Sequence, residues 1–135
     1  MSSDEDAILE KLDRFSALVF ARDPAVVDEL WGEGDFVLHG SEQNETATSR
    51  EELEALFQRQ FAKPYRISWL WDSRAVTRHG SDLAWVSAEA QLEVTYPERT
   101  RRVPYRFVCI FQKRGERWAW RLFSGSEPAA PPSSA

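Results

Sequence analysis

The chain has 135 residues, 42% of them hydrophobic and 13% aromatic, with a formal net charge of −5. Two His and one Cys exclude a zinc cluster, a disulfide framework and a His-rich metal site. No apolar run reaches the roughly 20 residues of a membrane span, and the start Met1-Ser2-Ser3-Asp4-Glu5-Asp6 is too acidic for a signal peptide, so a cytoplasmic chain with no membrane partner is expected.

Residues 3–22 are predicted to form the first helix. Ser3 with Asp6 caps it, and Ile8, Leu12, Phe15 and Val19 recur at helical spacing. Asp23-Pro24 restarts the chain as N-cap and first helical residue of a short helix through Leu30. Gly32 and Gly34 end it. Residues 36–39 form a first strand, and Gly40 to Thr48 a polar loop. Ser49-Arg50-Glu51-Glu52 is a capping box for a third helix, with Leu53, Leu56, Phe57 and Phe61 on its apolar face and Pro64 as its stop.

Beyond Pro64 the hydrophobic period changes from helical to alternating. Residues 65–77, 83–96, 102–113 and 117–125 are rich in aromatic and β-branched side chains and are separated by short turns. They predict a four-strand antiparallel meander. Strands this long outrun three short helices, so the sheet must curl around them. Ala84, Val86, Ala88, Ala90, Leu92 and Val94 share the face expected to be concave. Val103, Tyr105, Phe107, Cys109 and Phe111 continue it on the next strand. The opposite face mixes Arg106 with Val108 and Ile110, which suggests that another subunit covers it. Ser126 to Ala135 hold three Pro and no large apolar side chain. One domain over 1–128 and a disordered tail over 129–135 are therefore expected.

Charge divides along the chain. Residues 1–60 carry 15 acids against 5 bases, and residues 61–135 carry 7 against 12. The densest basic stretch, Arg99, Arg101, Arg102 and Arg106, lacks any accompanying nucleic-acid motif and is read as a solvated hairpin tip, so no nucleic-acid partner is expected. The two halves can instead meet each other, within or between protomers.

The order of elements resembles a family. Gly34-Asp35-Phe36-Val37, then Ser49-Arg50-Glu51-Glu52-Leu53, Ser81-Asp82-Leu83-Ala84-Trp85-Val86 and Lys113-Arg114-Gly115-Glu116-Arg117-Trp118 are similar to the nuclear-transport-factor-2-like superfamily, which includes SnoaL-like and ketosteroid-isomerase-like domains. The resemblance implies an α+β cone, in which a curved antiparallel sheet wraps around about three N-terminal helices and an apolar pocket opens at the wide end. It also implies a homodimer through the outer sheet face. The family holds isomerases, cyclases, dehydratases and hydrolases alongside binding and assembly modules, so fold alone selects no function. The steroid-isomerase constellation is not matched: Phe15 stands where a phenol would be wanted, and no Tyr precedes Tyr65.

His39, at the end of the first strand, is the first candidate for a general acid or base, against the reading that it is an exposed, hydrogen-bonded side chain. Asp72, after Trp69 and Trp71, is the second. It is either a carboxylate held against rings or a group paired with Arg74 or with a neighbouring strand. Phe15, Trp31, Trp71, Tyr105 and Trp120 are expected to line a pocket for a small apolar or aromatic ligand. Phosphate loops and nucleophile elbows are absent, and no cofactor or metal is expected. Two functions follow: a small-molecule-binding protein capable of acid–base isomerisation, cyclisation or hydrolysis, or a non-catalytic assembly module acting through its sheet face.

Overall fold

The computed structural model describes residues 3–132. Helix α1 spans Asp4–Phe20 and starts in a reciprocal capping box, with the Ser3 side chain accepting from the Asp6 N–H and the Asp6 side chain accepting from Ser3. Helix α2 is Ala25–Trp31. Pro24, not Asp23, takes its N-cap position, while the Asp23 carboxylate accepts from the Ala25 N–H at 2.9 Å. Two short strands follow, β1 at Val37–His39 and β2 at Thr46–Ala47. Helix α3, Arg50–Phe61, is capped by the Ser49 side chain. Glu52 reaches past the expected Ser49 N–H to bond the backbone and hydroxyl of Thr48.

Four long strands complete the chain: β3 Arg66–His79, β4 Leu83–Thr95, β5 Thr100–Arg114 and β6 Arg117–Ser126. The six-stranded sheet has the order β2-β1-β6-β5-β4-β3. Every pairing is antiparallel except β1 with β6. The chain is thus an α+β cone: three helices against a curved, unclosed sheet. Curvature has local causes, because Asp72 in β3 and Arg121 in β6 are each an extra residue with no partner across the ladder. Glu127 to Pro132 follow β6 without helix or strand, and residues 133–135 of the expected disordered tail lie outside the described residues.

The alternation read from β4 is found in space: Ala84, Val86, Ala88, Ala90, Leu92 and Val94 are all buried against the helices. The small alanines leave room that aromatic side chains take. Phe15 of α1 carries the helix into this cluster, with ring centroids 5.1 Å from Trp69, 5.1 Å from Phe123 and 5.7 Å from Trp120. Such tilted and edge contacts add to the area term for each ring.

The charge division also acquires a physical meaning, since the acidic helices grip the basic sheet. Asp13 accepts from Trp71 Nε1 at 3.0 Å and Arg74 Nη1 at 2.8 Å. Asp4 accepts from Lys113 Nζ, Trp118 Nε1 and Arg78 Nη1, and the Trp118 and Lys113 hydrogen bonds hold its carboxyl below the usual value. Glu29 of α2 accepts from Trp120 Nε1 at 2.9 Å, Arg14 Nε at 3.0 Å and Lys11 Nζ at 3.2 Å. Ser16 in mid-helix accepts from the Trp69 backbone N–H at 2.9 Å, which satisfies a donor that edge strand β3 would otherwise leave open. On the outer face Glu89 pairs with Arg106 and Glu93 with Arg102. Arg121 donates to Gln112 and to the Gly34 carbonyl.

Candidate functional site

A cavity of about 130 Å³ lies between α1, α3, the loop from Gly40 to Glu45 and the ends of β3, β4 and β5. Its inner wall is apolar, built from Phe15, Leu56, Phe57, Trp69, Leu92 and Phe123. Its opposite end is polar: Ser41, Glu42 and Glu45 of the loop, Lys63 after α3, and Glu127 after β6. Tyr105 bridges the two regions, with a buried ring beside Trp69 at 5.7 Å.

Local backbone explains how the polar end is assembled. Asn44 has φ of +66°, a left-handed conformation that Asn tolerates and that turns the chain back sharply. The Gly40 N–H then bonds the Glu45 carbonyl at 2.6 Å, closing the loop on itself. Glu45 is half-buried, and its Oε1 accepts from the Glu42 N–H at 2.8 Å. A β-carbon at position 40 would sit 2.6 Å from that Oε1 and 2.9 Å from Cδ. Glycine is therefore what lets the carboxyl settle there.

Tyr105 depends on a second glycine. A β-carbon at position 125 would overlap the phenol, lying 2.6 Å from Cζ. Burial pushes the phenol well above its ordinary value, and the Ser41 side chain offsets this only in part. Tyr105 is consequently a neutral hydroxyl at any ordinary pH. Burial likewise raises Glu45 above 4.5. The Glu42 N–H and Lys63 oppose the rise, while the charges of Glu42 and Glu127 add to it. The site thus holds one carboxyl displaced toward neutrality and one fixed neutral hydroxyl, a pair able to exchange a proton and to hold an oxygen or nitrogen. The Trp69 indole N–H, in the wall, is buried with no partner among the described residues.

Of the residues singled out from sequence, Phe15 and Tyr105 line this cavity; the others do not. His39 is exposed. Leu38 points into the cavity wall, so its neighbour must point out, where Nδ1 lies 3.2 Å from Thr46 Oγ1. Asp72 is exposed at the β3 bulge and accepts from Gln91 Nε2 at 3.1 Å. Its expected partner Arg74 faces α1. Trp120 is core, 1% exposed and tied to Glu29. Trp71 is turned toward α1 by Asp13, and Trp31 packs against the core at the end of α2. Glu45 carries no periodic signal of its own, because it sits in a polar loop. The sequence signal that could have found it is Gly40 at one end of the loop and Asn44 just before the carboxylate.

Among the described residues no group of three or more His, Cys, Asp or Glu could hold a metal, and no helix is long and apolar enough to cross a membrane. Cys109 is buried, and burial raises its thiol well above the ordinary value, so it is unreactive.

Solved structures share this architecture. A candidate aromatic ring hydroxylase from Novosphingobium aromaticivorans superposes with a TM-score of 0.79 at 18% identity, covering 96% of this chain and 94% of that one. A candidate calcium/calmodulin-dependent protein kinase II association domain from Xanthomonas campestris gives 0.78 at 21% identity, covering 94% and 89%. A candidate dehydratase of the NTF2-like family from Streptomyces avermitilis gives 0.78 at 13% identity, covering 94% and 97%. At such identities the likeness defines the class: an NTF2-like α+β cone. A sequence model of the SnoaL-like domain matches residues 8–130, and the chain belongs to that family. Comparison with curated proteins finds no match.

Proposed function

We propose that this chain, folded as one cone domain over residues 1–128, binds a small, largely apolar molecule in the cavity between Phe15, Trp69 and Tyr105. We further propose that Glu45 is its acid–base group. One observation carries the reading: apolar walls converge on a half-buried carboxyl and a neutral phenol. The volume of about 130 Å³ is close to the roughly 150 Å³ that accommodates a benzene ring. It has room for a single ring.

Within such a site Glu45 exchanges a proton with the ligand, while the Tyr105 hydroxyl fixes the ligand's polar atom. That is the chemistry required for isomerisation, cyclisation or hydrolysis of a small substrate. His39 and Asp72 lie outside the cavity and are assigned no part in it. The test is a binding and turnover screen of single-ring compounds against the intact chain, Val103→Trp, Glu45→Gln, His39→Ala and Asp72→Ala. Val103→Trp fills the cavity and is expected to abolish binding, and turnover is expected to fall only in Val103→Trp and Glu45→Gln. Ligands retained by Val103→Trp would refute the assignment.

The outer sheet face supports a second function alongside this one. Trp85, Ile110 and Leu122 form one cross-strand row. Trp85 is 37% exposed, and nearby Val108 is 45% exposed. The Glu89–Arg106 and Glu93–Arg102 pairs leave the same face with both signs of charge. A second copy of the chain can therefore meet it without like-charge repulsion, and a homodimer through this face is our reading.

A further inference from the structure

The ligand's charge class is written in the polar end of the cavity. Three carboxylates stand there, Glu42, Glu45 and Glu127, against two cations, Lys63 and Arg101. Most of these charges are engaged or solvated. Lys63 Nζ lies 4.0 Å from Glu42 Oε2 and 5.8 Å from the Tyr65 ring centroid. Glu127 accepts from the Ser41 hydroxyl at 3.0 Å, and Arg101 is exposed at the start of β5. Glu45 differs. It makes no ion pair with a Lys or Arg among the described residues, and only its Oε1 is bonded, to the Glu42 N–H. Its Oε2 takes no hydrogen bond from the described residues.

That oxygen is not sealed from water, and in a half-buried setting a ligand donor that replaces the water gains a charge-assisted bond to it. Four aromatic residues, Phe15, Phe57, Trp69 and Tyr105, line the same cavity, and an aromatic face attracts a cation set over it. We propose that the ligand is a small organic ammonium: an amine on a single-ring body, its N–H donors on Glu45 Oε2 and its apolar part among the four rings. This rests on the small-molecule reading above and adds to it the charge of the molecule. An anionic ligand of equal size would set its charge against Glu45.

The test compares three molecules of one shape by calorimetric titration of the full chain at pH 7: benzylamine, benzyl alcohol and benzoate. Benzylamine is expected to bind about tenfold more tightly than benzyl alcohol, the size of a charge-assisted bond with a ring contact, and benzoate is expected to bind weakest. In Glu45→Gln the amine-to-alcohol ratio is expected to fall to about one, as uncharged Gln offers no charge-assisted bond. Gly40→Ala, which displaces the carboxyl from the backbone side, should lower the ratio in the same direction. Equal affinity for amine and alcohol, or a preference for amine that survives Glu45→Gln, would overturn the ammonium assignment while leaving the cavity reading intact. Failure of all three to bind would overturn both.

Discussion

The Tyr105 ring occupies the space that a β-carbon on residue 125 would need, so Gly125 on β6 and Tyr105 on β5 are a matched pair. A methyl group at 125 must push the phenol away from the cavity or bend the strand. Gly125→Ala is expected to cost about 1–3 kcal/mol, the usual range for overpacking. In a Tyr105→Ala background the added methyl has room, and the penalty should largely vanish. Urea unfolding of the two single variants and the double variant closes the cycle, and additive penalties would contradict the pairing.

Glu45 leaves a signature in the pH dependence of stability. Burial holds its folded pKa above 4.5, with Glu42 and Glu127 adding to the rise and Lys63 and the Glu42 N–H opposing it. Between 4.5 and the folded value, the native chain keeps a proton that the unfolded chain has released. Stability therefore falls as pH climbs through that window, and the full loss persists above it. Glu45→Gln removes this component. The difference between intact and Glu45→Gln chains, read from urea midpoints, should shift against the intact chain from pH 4 to pH 7. A shift in the opposite direction would mean that the carboxylate is stabilised in the fold.

Glu29 ties two helices to the sheet, its side chain only 9% exposed and holding Lys11, Arg14 and Trp120. Glu29→Ala strands the Trp120 indole N–H in a buried setting and removes both ion pairs. The expected cost is about 2–3 kcal/mol, dominated by the unsatisfied donor and not by the exposed arginine. A loss under about 0.5 kcal/mol, the level of an exposed pair alone, would show that water replaces the carboxylate freely.

What sequence made legible was whatever repeats. Helical spacing in residues 8–19 placed α1, and strict alternation from Ala84 to Val94 assigned every side chain of β4 to its correct face. Charge asymmetry allowed pairing within or between protomers, and Asp4 and Asp13 of α1 pair with the sheet within the chain. The site was harder to read, for three physical reasons. Glu45 belongs to a loop, where burial depends on how the chain closes over other elements and leaves no period behind. Strand β2, only Thr46–Ala47, is too short to carry a pattern. The tryptophans are ambiguous because a large ring fits a pocket wall and a core equally well in sequence. Their polar nitrogens decide the matter: Asp13 draws Trp71 toward α1, and Glu29 holds Trp120 in the core.

The outer face carries its own expectation. Val108, 45% exposed on the convex side of β5, lies two residues before Ile110 of the apolar row, between Ser87 and Ser124 on the neighbouring strands. Val108→Glu is expected to convert a micromolar dimer into a monomer by sedimentation velocity, with little change in cavity binding. An intact chain that already sediments as a monomer at that concentration would contradict the homodimer.

The cavity itself is open to one direct measurement: a crystal structure of the chain soaked with benzyl alcohol. Density for a single ring is expected between Phe15, Trp69 and Tyr105, with its hydroxyl toward Glu45. Density found only on the outer surface, or a cavity closed by collapse of Trp69 and Tyr105 onto Phe15, would contradict the binding function.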